Sequence, residues 1–150
     1  MPRLDAARLD AWRELQSVVT EVTRGIDEDL RLEWAVPLGW FDVLATLRAL
    51  GGRARPQDVA ARMRIPASSL SRRFDRLEEE GWIARHRRVD PDDHRAVDIE
   101  LTPRGRTLWR EMNLTYRRSV QDRFAGRLDD DQVAAVGAAT RLVDPIGGGS

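Results

Sequence analysis

The sequence predicts a mainly α fold with one small β-hairpin, and three observations predict it. Apolar residues recur at steps of three and four along most of the chain. One stretch breaks that rhythm: Val97, Ile99 and Leu101 alternate with Ala96, Asp98 and Glu100, the period-two pattern of a half-buried strand. Between Pro56 and Thr102, two short helical segments are joined by Arg64, Ile65 and Pro66 alone, and a pair of strand-like segments follows.

The elements follow in order. Leu9, Trp12, Leu15, Val19, Val22, Ile26 and Leu30 mark an amphipathic helix of about 25 residues, longer than one small core can cover. Part of its stripe is therefore expected to meet a second copy of the chain. Pro37 breaks this helix, and a second (LGWFDVLATLRAL) runs to the stop signal Gly51-Gly52. Arg53 to Arg55 fits a short strand beside the hairpin. Pro56 suits the first helical position, with Asp58 in the first turn and Val59, Ala60 and Met63 facing inward over 56–63. Over 67–80, Leu70, Phe74 and Leu77 share one helical face, and Gly81 ends the helix. The hairpin comprises 82–88, a turn at 89–95 and a strand at 96–101. Thr102 and Pro103 read as N-cap and first position of a helix carrying Leu108, Met112, Tyr116, Val120 and Phe124. Gly126 interrupts it, Asp129 and Gln132 form a capping box for a last helix, and the tail 144–150 is expected to be disordered.

Composition narrows the class. The chain has 150 residues, room for one sizeable core. It has no cysteine, which removes disulfides, thiolate metal sites and thiol nucleophiles. No apolar run suits a membrane span, and the start, MPRLDAARLD, is not an apolar signal segment, so a cytoplasmic protein is expected. Formal net charge is zero, but its distribution is uneven: residues 53–95 carry eleven Arg against eight Asp plus Glu. Two histidines, His86 and His94, both lie in the hairpin. No glycine-rich phosphate loop, nucleophile elbow or metal-ligand pair appears, so no catalytic site, metal or cofactor is expected. Asp90, Asp92 and Asp93 imitate part of a calcium loop but lack its glycine and distal glutamate. The run Glu78-Glu79-Glu80 reads as a solvated helix end.

The order from Pro56 to Thr102 is that of a helix-turn-helix with a β-hairpin wing, an arrangement that reads DNA. If Leu70, Phe74 and Leu77 face the core, a 100° step per residue turns Ser69, Arg72 and Arg76 outward, with Ser68 beside them. Small hydroxyls let the helix enter the major groove closely, and Arg72 can reach guanine O6 and N7 in bidentate fashion. Ser71 and Arg73 lie on the flanks, where phosphate contacts are natural. In the hairpin Arg85, Arg87 and Arg88 can meet phosphates. Arg95 at the tip suits a narrow minor groove, oriented by Asp93. The competing reading is an ordinary polar helix face and a solvated charged turn.

Three segments resemble the MarR family of bacterial winged-helix transcription regulators, and together the likeness covers about residues 10 to 143. They are SLSRRFDRLEEEGWIAR (69–85), DPDDHRAVDIELTPRG (90–105), and Val36-Pro37-Leu38-Gly39-Trp40-Phe41-Asp42-Val43-Leu44. One departure is visible: where the family usually has two adjacent basic residues at the wing tip, this chain has His94 and then Arg95. The resemblance implies one MarR-like domain over 1–150, a winged helix-turn-helix lobe (37–102) flanked by N- and C-terminal dimerisation helices (1–36 and 103–143). It implies a homodimer that binds double-stranded DNA at a pseudo-palindromic operator, most simply as a repressor. It also implies a groove for a small aromatic or phenolic effector. Trp12, Trp34, Trp40, Phe41 and Tyr116 are candidates to line it, with Arg13 or Arg117 to pair with a carboxylate; plain core packing is the alternative for each aromatic. From another functional class, a winged-helix protein–protein module without an operator remains open, and Arg72, Arg73 and Arg76 speak against it.

Overall fold

The computed structural model describes residues 3–89, 92 and 96–144. Its elements are α1 (Ala6–Trp34), α2 (Leu38–Ala49), β1 (Arg53–Ala54), α3 (Pro56–Met63), α4 (Ser71–Glu79), β2 (Ile83–Arg87), β3 (Val97–Leu101), α5 (Pro103–Arg123) and α6 (Asp130–Val143). Short 3-10 turns stand at Ala67–Ser69 and Ala125–Arg127. The chain divides into two compact units, Asp27–Tyr116 and Met1–Ile26 with Arg117–Ser150. The expected disordered tail, apart from Asp144, lies outside the described residues.

In the central unit, Val43, Leu44, Leu47, Val59, Ala60, Leu70, Phe74, Leu77, Ile83, Ile99 and Leu101 form one buried cluster. Each helix contributes a single stripe and the sheet a single face. β1, β3 and β2 form an antiparallel sheet in that order, with Arg53 opposite Glu100 and Arg85 opposite Ile99. The expected short strand before α3 is thus present, on the outer edge of β3. Glycines fasten the sheet to the helices. Gly52, at φ +92, donates to the Leu47 carbonyl (2.7 Å) and accepts from Leu101 N–H (2.8 Å). That φ lies in the region L side chains avoid.

Two departures from sequence expectation are informative. The helix expected over 67–80 begins as a 3-10 turn, Ala67–Ser69, and becomes α-helical at Ser71. Pro66 starts that turn in extended geometry, and Leu70, fully buried, makes the junction. The link between the two short helices is made by Arg64, a non-glycine residue at φ 58, ψ 41. Such a left-handed residue costs roughly 1–2 kcal/mol, and burial of Val59, Ala60 and Leu70 on either side offsets it.

The join from sheet to α5 explains the Thr-Pro-Arg-Gly motif. Thr102 Oγ1 donates to the Gly81 carbonyl (2.7 Å) and accepts from Gly105 N–H (3.1 Å), capping α5 and gripping the end of α4 at once. A Cβ at Gly105 would stand 2.0 Å from the Trp82 carbonyl oxygen. Only glycine admits this approach.

In the other unit, Asp129 caps α6 as expected. Its carboxylate accepts from Gln132 N–H (2.8 Å), and Gln132 Oε1 accepts from Asp129 N–H (3.0 Å). No described residue of α6 is buried. Within this unit Trp12 is 55 % exposed, Val19 55 %, Val133 46 % and Leu142 88 %. Trp12 and Val19 belong to the α1 stripe expected to be longer than one core could cover. Gly25 makes room for Arg123, whose Nη1 would lie 2.2 Å from an added Cβ.

Gly105→Ala should destabilise the protein by about 1–3 kcal/mol or more, since the obstacle is backbone and cannot swing aside. Gly51→Ala, where a Cβ meets open space but φ is +92, should cost only the strain of its backbone, about 1 kcal/mol. Urea melts of the two variants side by side check this.

Candidate nucleic-acid interface

The reading face of α4 follows from what its other face buries. Leu70, Phe74 and Leu77 are at most 3 % exposed, while Ser68, Ser69, Ser71, Arg72, Asp75 and Arg76 are exposed. A helix fixed by three apolar residues at steps of four and three must present the intervening residues to solvent. Arg72 makes no ion pair among the described residues. Arg76 has a loose partner, Glu79 at 3.6 Å, with both side chains 68 % exposed. Ser68 and Ser69, in the 3-10 turn, stand at the tip of this face.

The other cations behave differently. Arg85, expected on phosphate, is drawn instead into a fork with α4. Its Nη2 donates to Asp75 (2.8 Å), its Nη1 to Glu78 (3.0 Å), and its backbone N–H to Glu78 (3.2 Å). Desolvation works against its charge, but the hydrogen bonds and charges of Asp75 and Glu78 outweigh it and raise its pKa. Glu78, read from sequence as part of a solvated acidic end, thus faces the wing. Arg73 is half-buried and turns toward α2, donating to the Gly39 carbonyl at 3.4 Å. Arg88 is partly covered, with Nε 3.5 Å from Asp98 Oδ1. Arg87 is exposed. Asp93, His94 and Arg95 lie outside the described residues.

The base of the wing carries its own charge ladder. Arg53 on β1 reaches Asp98 (3.1 Å) and Glu100 (3.4 Å) on β3, and His86 on β2 lies 3.5 Å from Glu100. The Arg53 pairs, opposite charges across neighbouring strands, each contribute up to about 1 kcal/mol and hold β1 against β3.

The aromatic candidates separate into groups. In the central unit Trp34 Nε1 donates to Thr115 Oγ1 (2.9 Å), and Phe41 lies 4.9 Å from Tyr116, tilted 30°. Trp40 packs edge-on to Trp82, 6.4 Å between centroids, against the core of the winged lobe. In the other unit Trp12, Arg13 and Arg117 are exposed. At the break before α2, Asp27 accepts from Leu38 N–H (2.8 Å) and caps that helix, while its second oxygen binds Arg31 (2.8 Å). Asp42 sits in the same neighbourhood. Burial raises its pKa and Arg73's charge partly counters it. The Tyr116 hydroxyl is raised by burial and by Asp42's negative charge. Sequence reasoning assigned no role to Asp42, Asp75 or Thr115. The signal available was the i, i+3 pair Asp75 and Glu78 ahead of an arginine-bearing strand.

Among the described residues no group of three or more His, Asp or Glu side chains is arranged to hold a metal, and no helix is long and apolar enough to cross a membrane.

Three helices against a three-stranded sheet, with an arginine-bearing helix following a three-residue turn, define a winged helix-turn-helix. Comparison with known proteins narrows this further. The family model described as "MarR family" matches residues 36–96. The HTH-type transcriptional regulator PecS of Dickeya dadantii is 32% identical over 106 residues, which span 69% of this chain and 62% of PecS. The crystal structure of Sco3205, a MarR family transcriptional regulator from Streptomyces coelicolor in complex with DNA, superposes with a TM-score of 0.84 at 27% identity, covering 95% of this chain and 89% of that one. Bordetella bronchiseptica BpsR, whose DNA binding is regulated by 6-hydroxynicotinic acid, matches with a TM-score of 0.77 at 25% identity, over 90% of this chain and 99% of that one. Residues 36–96 match the MarR family, and the whole chain shares the fold of MarR family regulators.

Asp42 yields a pH prediction. A carboxyl whose folded-state pKa is raised contributes stability at low pH and loses it as pH climbs through the folded value. Stability associated with Asp42 should therefore fall as pH rises past the ordinary aspartate range toward neutrality. Asp42→Asn should flatten that fall and make the protein more stable at neutral pH. Thermal melts across pH, wild type against variant, measure it.

Proposed function

We propose that this chain is a homodimeric, sequence-specific DNA-binding regulator, most simply a repressor, whose hold on a pseudo-palindromic operator is weakened by a small aromatic effector. The observation that carries the reading is the outward face of α4, where Ser69, Arg72 and Arg76 are exposed opposite a buried apolar stripe. Arg72 reads guanine, Ser68, Ser69 and Ser71 lie against base edges and phosphate, and Arg76 and Arg87 neutralise backbone charge. At the wing tip, Arg95 enters the minor groove, with Asp93 orienting it and His94 beside it. The whole of 1–150 works as one regulator, with 37–102 reading DNA and 1–36 and 103–143 serving mainly dimerisation. Its work is binding rather than catalysis and takes place where the DNA is, in the cytoplasm. Sco3205, bound to DNA, supports the first part of this reading, and BpsR, regulated by 6-hydroxynicotinic acid, supports the second.

Binding to the operator should weaken steeply with salt, because each arginine–phosphate contact releases counterions. Arg72→Ala should cost about 1–3 kcal/mol on the operator and much less on random duplex. Titrations of both DNAs at two salt concentrations test this; a flat salt response, or equal weakening of the two DNAs, contradicts it.

The exposed residues Trp12, Val19, Val133 and Leu142 form the proposed dimer surface, since exposed apolar area of this kind is a liability in a monomer. Light scattering at micromolar concentration should give twice the chain mass, and Val19→Glu should lower it.

For the effector we propose the Trp34, Phe41 and Tyr116 cluster, where a phenol or aromatic carboxylate can stack and meet a raised tyrosine hydroxyl. Such a ligand shifts the spacing of two recognition helices that must sit about 34 Å apart on the duplex. Titrating phenols and aromatic acids should quench tryptophan fluorescence and release DNA at the same concentration. Quenching without release separates the pocket from the switch.

A further inference from the structure

Arg73 stands between the outward Arg72 and the buried Phe74, and it points inward. Its guanidinium lies over the first turn of α2. Nη1 donates to the Gly39 carbonyl at 3.4 Å, and a Cβ built on Gly39 would come within 3.3 Å of Arg73 Cζ and Nη1. Glycine at 39 thus leaves the guanidinium its seat. Asp42 is three residues further along α2, on the same face as Gly39. It keeps a carboxylate in a half-buried place where burial disfavours the charge, and Arg73 is the cation that favours it.

We propose that Arg73 is a positioning residue. It ties the recognition helix to the first turn of α2 through the Gly39 carbonyl, beside Asp42, and so sets the angle at which Arg72 and Arg76 meet DNA without itself touching phosphate. The proposal rests on the DNA-reading role argued above and deepens it. Bidentate recognition of a guanine edge tolerates little displacement, because both N–H bonds must be aligned together. Phosphate contacts along a flexible backbone tolerate more. Loosening α4 should therefore cost discrimination before it costs bulk affinity.

The full-length protein is used to select a duplex from a random-sequence pool. Binding to that duplex and to a scrambled duplex of equal composition is then titrated from about 50 to 200 mM salt. The variants are Arg73→Ala, Arg73→Gln, Asp42→Asn and the combination Arg73→Gln with Asp42→Asn. Each single variant should lose about 3–10-fold in preference for the selected duplex, and its salt slope should stay at the wild-type value. The combination should be no worse than its more severe member, since both act on the same junction of α4 and α2. In the free protein, amide hydrogens of Ser71–Glu79 should exchange faster in the Arg73 variants. A salt slope lowered by about one, with both duplexes weakened alike, would place Arg73 on phosphate and overturn the proposal. So would unchanged preference with unchanged exchange in α4. Should Arg73→Ala fail to fold, Arg73→Gln and Asp42→Asn carry the same comparison. If the wild-type protein selects no sequence, the DNA-reading role fails instead, and exchange in α4 still decides whether Arg73 holds the helix.

Discussion

The recognition helix is short, and its nine residues, Ser71–Glu79, cannot hold a fixed direction by hydrogen bonds alone. What fixes it is the burial of Leu70, Phe74 and Leu77 against α2, α3 and the sheet. Each such side chain contributes about 1.5–3 kcal/mol when fully removed from water. Their steps of four and three leave a single rotation of the helix about its axis. The outward position of Ser69, Arg72 and Arg76 follows from that rotation and from nothing local to those residues. The rest of the lobe exists to give that stripe something to bury against.

Burial fixes rotation but leaves tilt and slide, because apolar contacts have no direction. Polar contacts supply the missing constraints. Arg85 grips Asp75 and Glu78 with three hydrogen bonds, joining α4 to the root of the wing. Thr102 joins the end of α4 to the start of α5 through the Gly81 carbonyl. An exposed ion pair contributes less than about 1 kcal/mol, so none of these need dominate stability. Their contribution is geometric: two rigid pieces that must touch one duplex are held in one relation.

Much of this was legible in the sequence. Element order, the short edge strand, the capping box at Asp129 and the buried stripe of α4 all follow from periodicity and from capping residues, which are local signals. What escaped was the fate of individual arginines. Arg72, Arg73, Arg85 and Arg88 are alike in composition and differ in what lies opposite them. Arg85 faces Asp75 and Glu78 only because β2 folds back beside α4, a contact across seven to ten residues. Arg73 meets Gly39 across 34 residues. The requirement for glycine at 105 was equally hidden, since the obstacle is a carbonyl in another element. Among the aromatic candidates, Phe41 and Tyr116 do meet, whereas Trp40 packs on Trp82, which was not among them.

The net charge of zero can now be understood locally. An arginine neutralised by two carboxylates adds little to the field felt by a phosphate, whereas an unpaired one adds its whole charge. Counting Arg over 53–95 therefore overstates the cationic surface, because Arg53, Arg85 and Arg88 face Asp75, Glu78, Asp98 and Glu100. On the outward side of α4, by contrast, Arg72 makes no ion pair among the described residues and Arg76 only the loose Glu79 contact. Affinity for non-specific duplex grows with the number of phosphates neutralised, so each arginine taken up by a carboxylate reduces it. On the proposed DNA-reading role, preference then rests on base contacts made in a set orientation. In that role the inward arginines contribute alignment, and alignment turns a modest charge into discrimination.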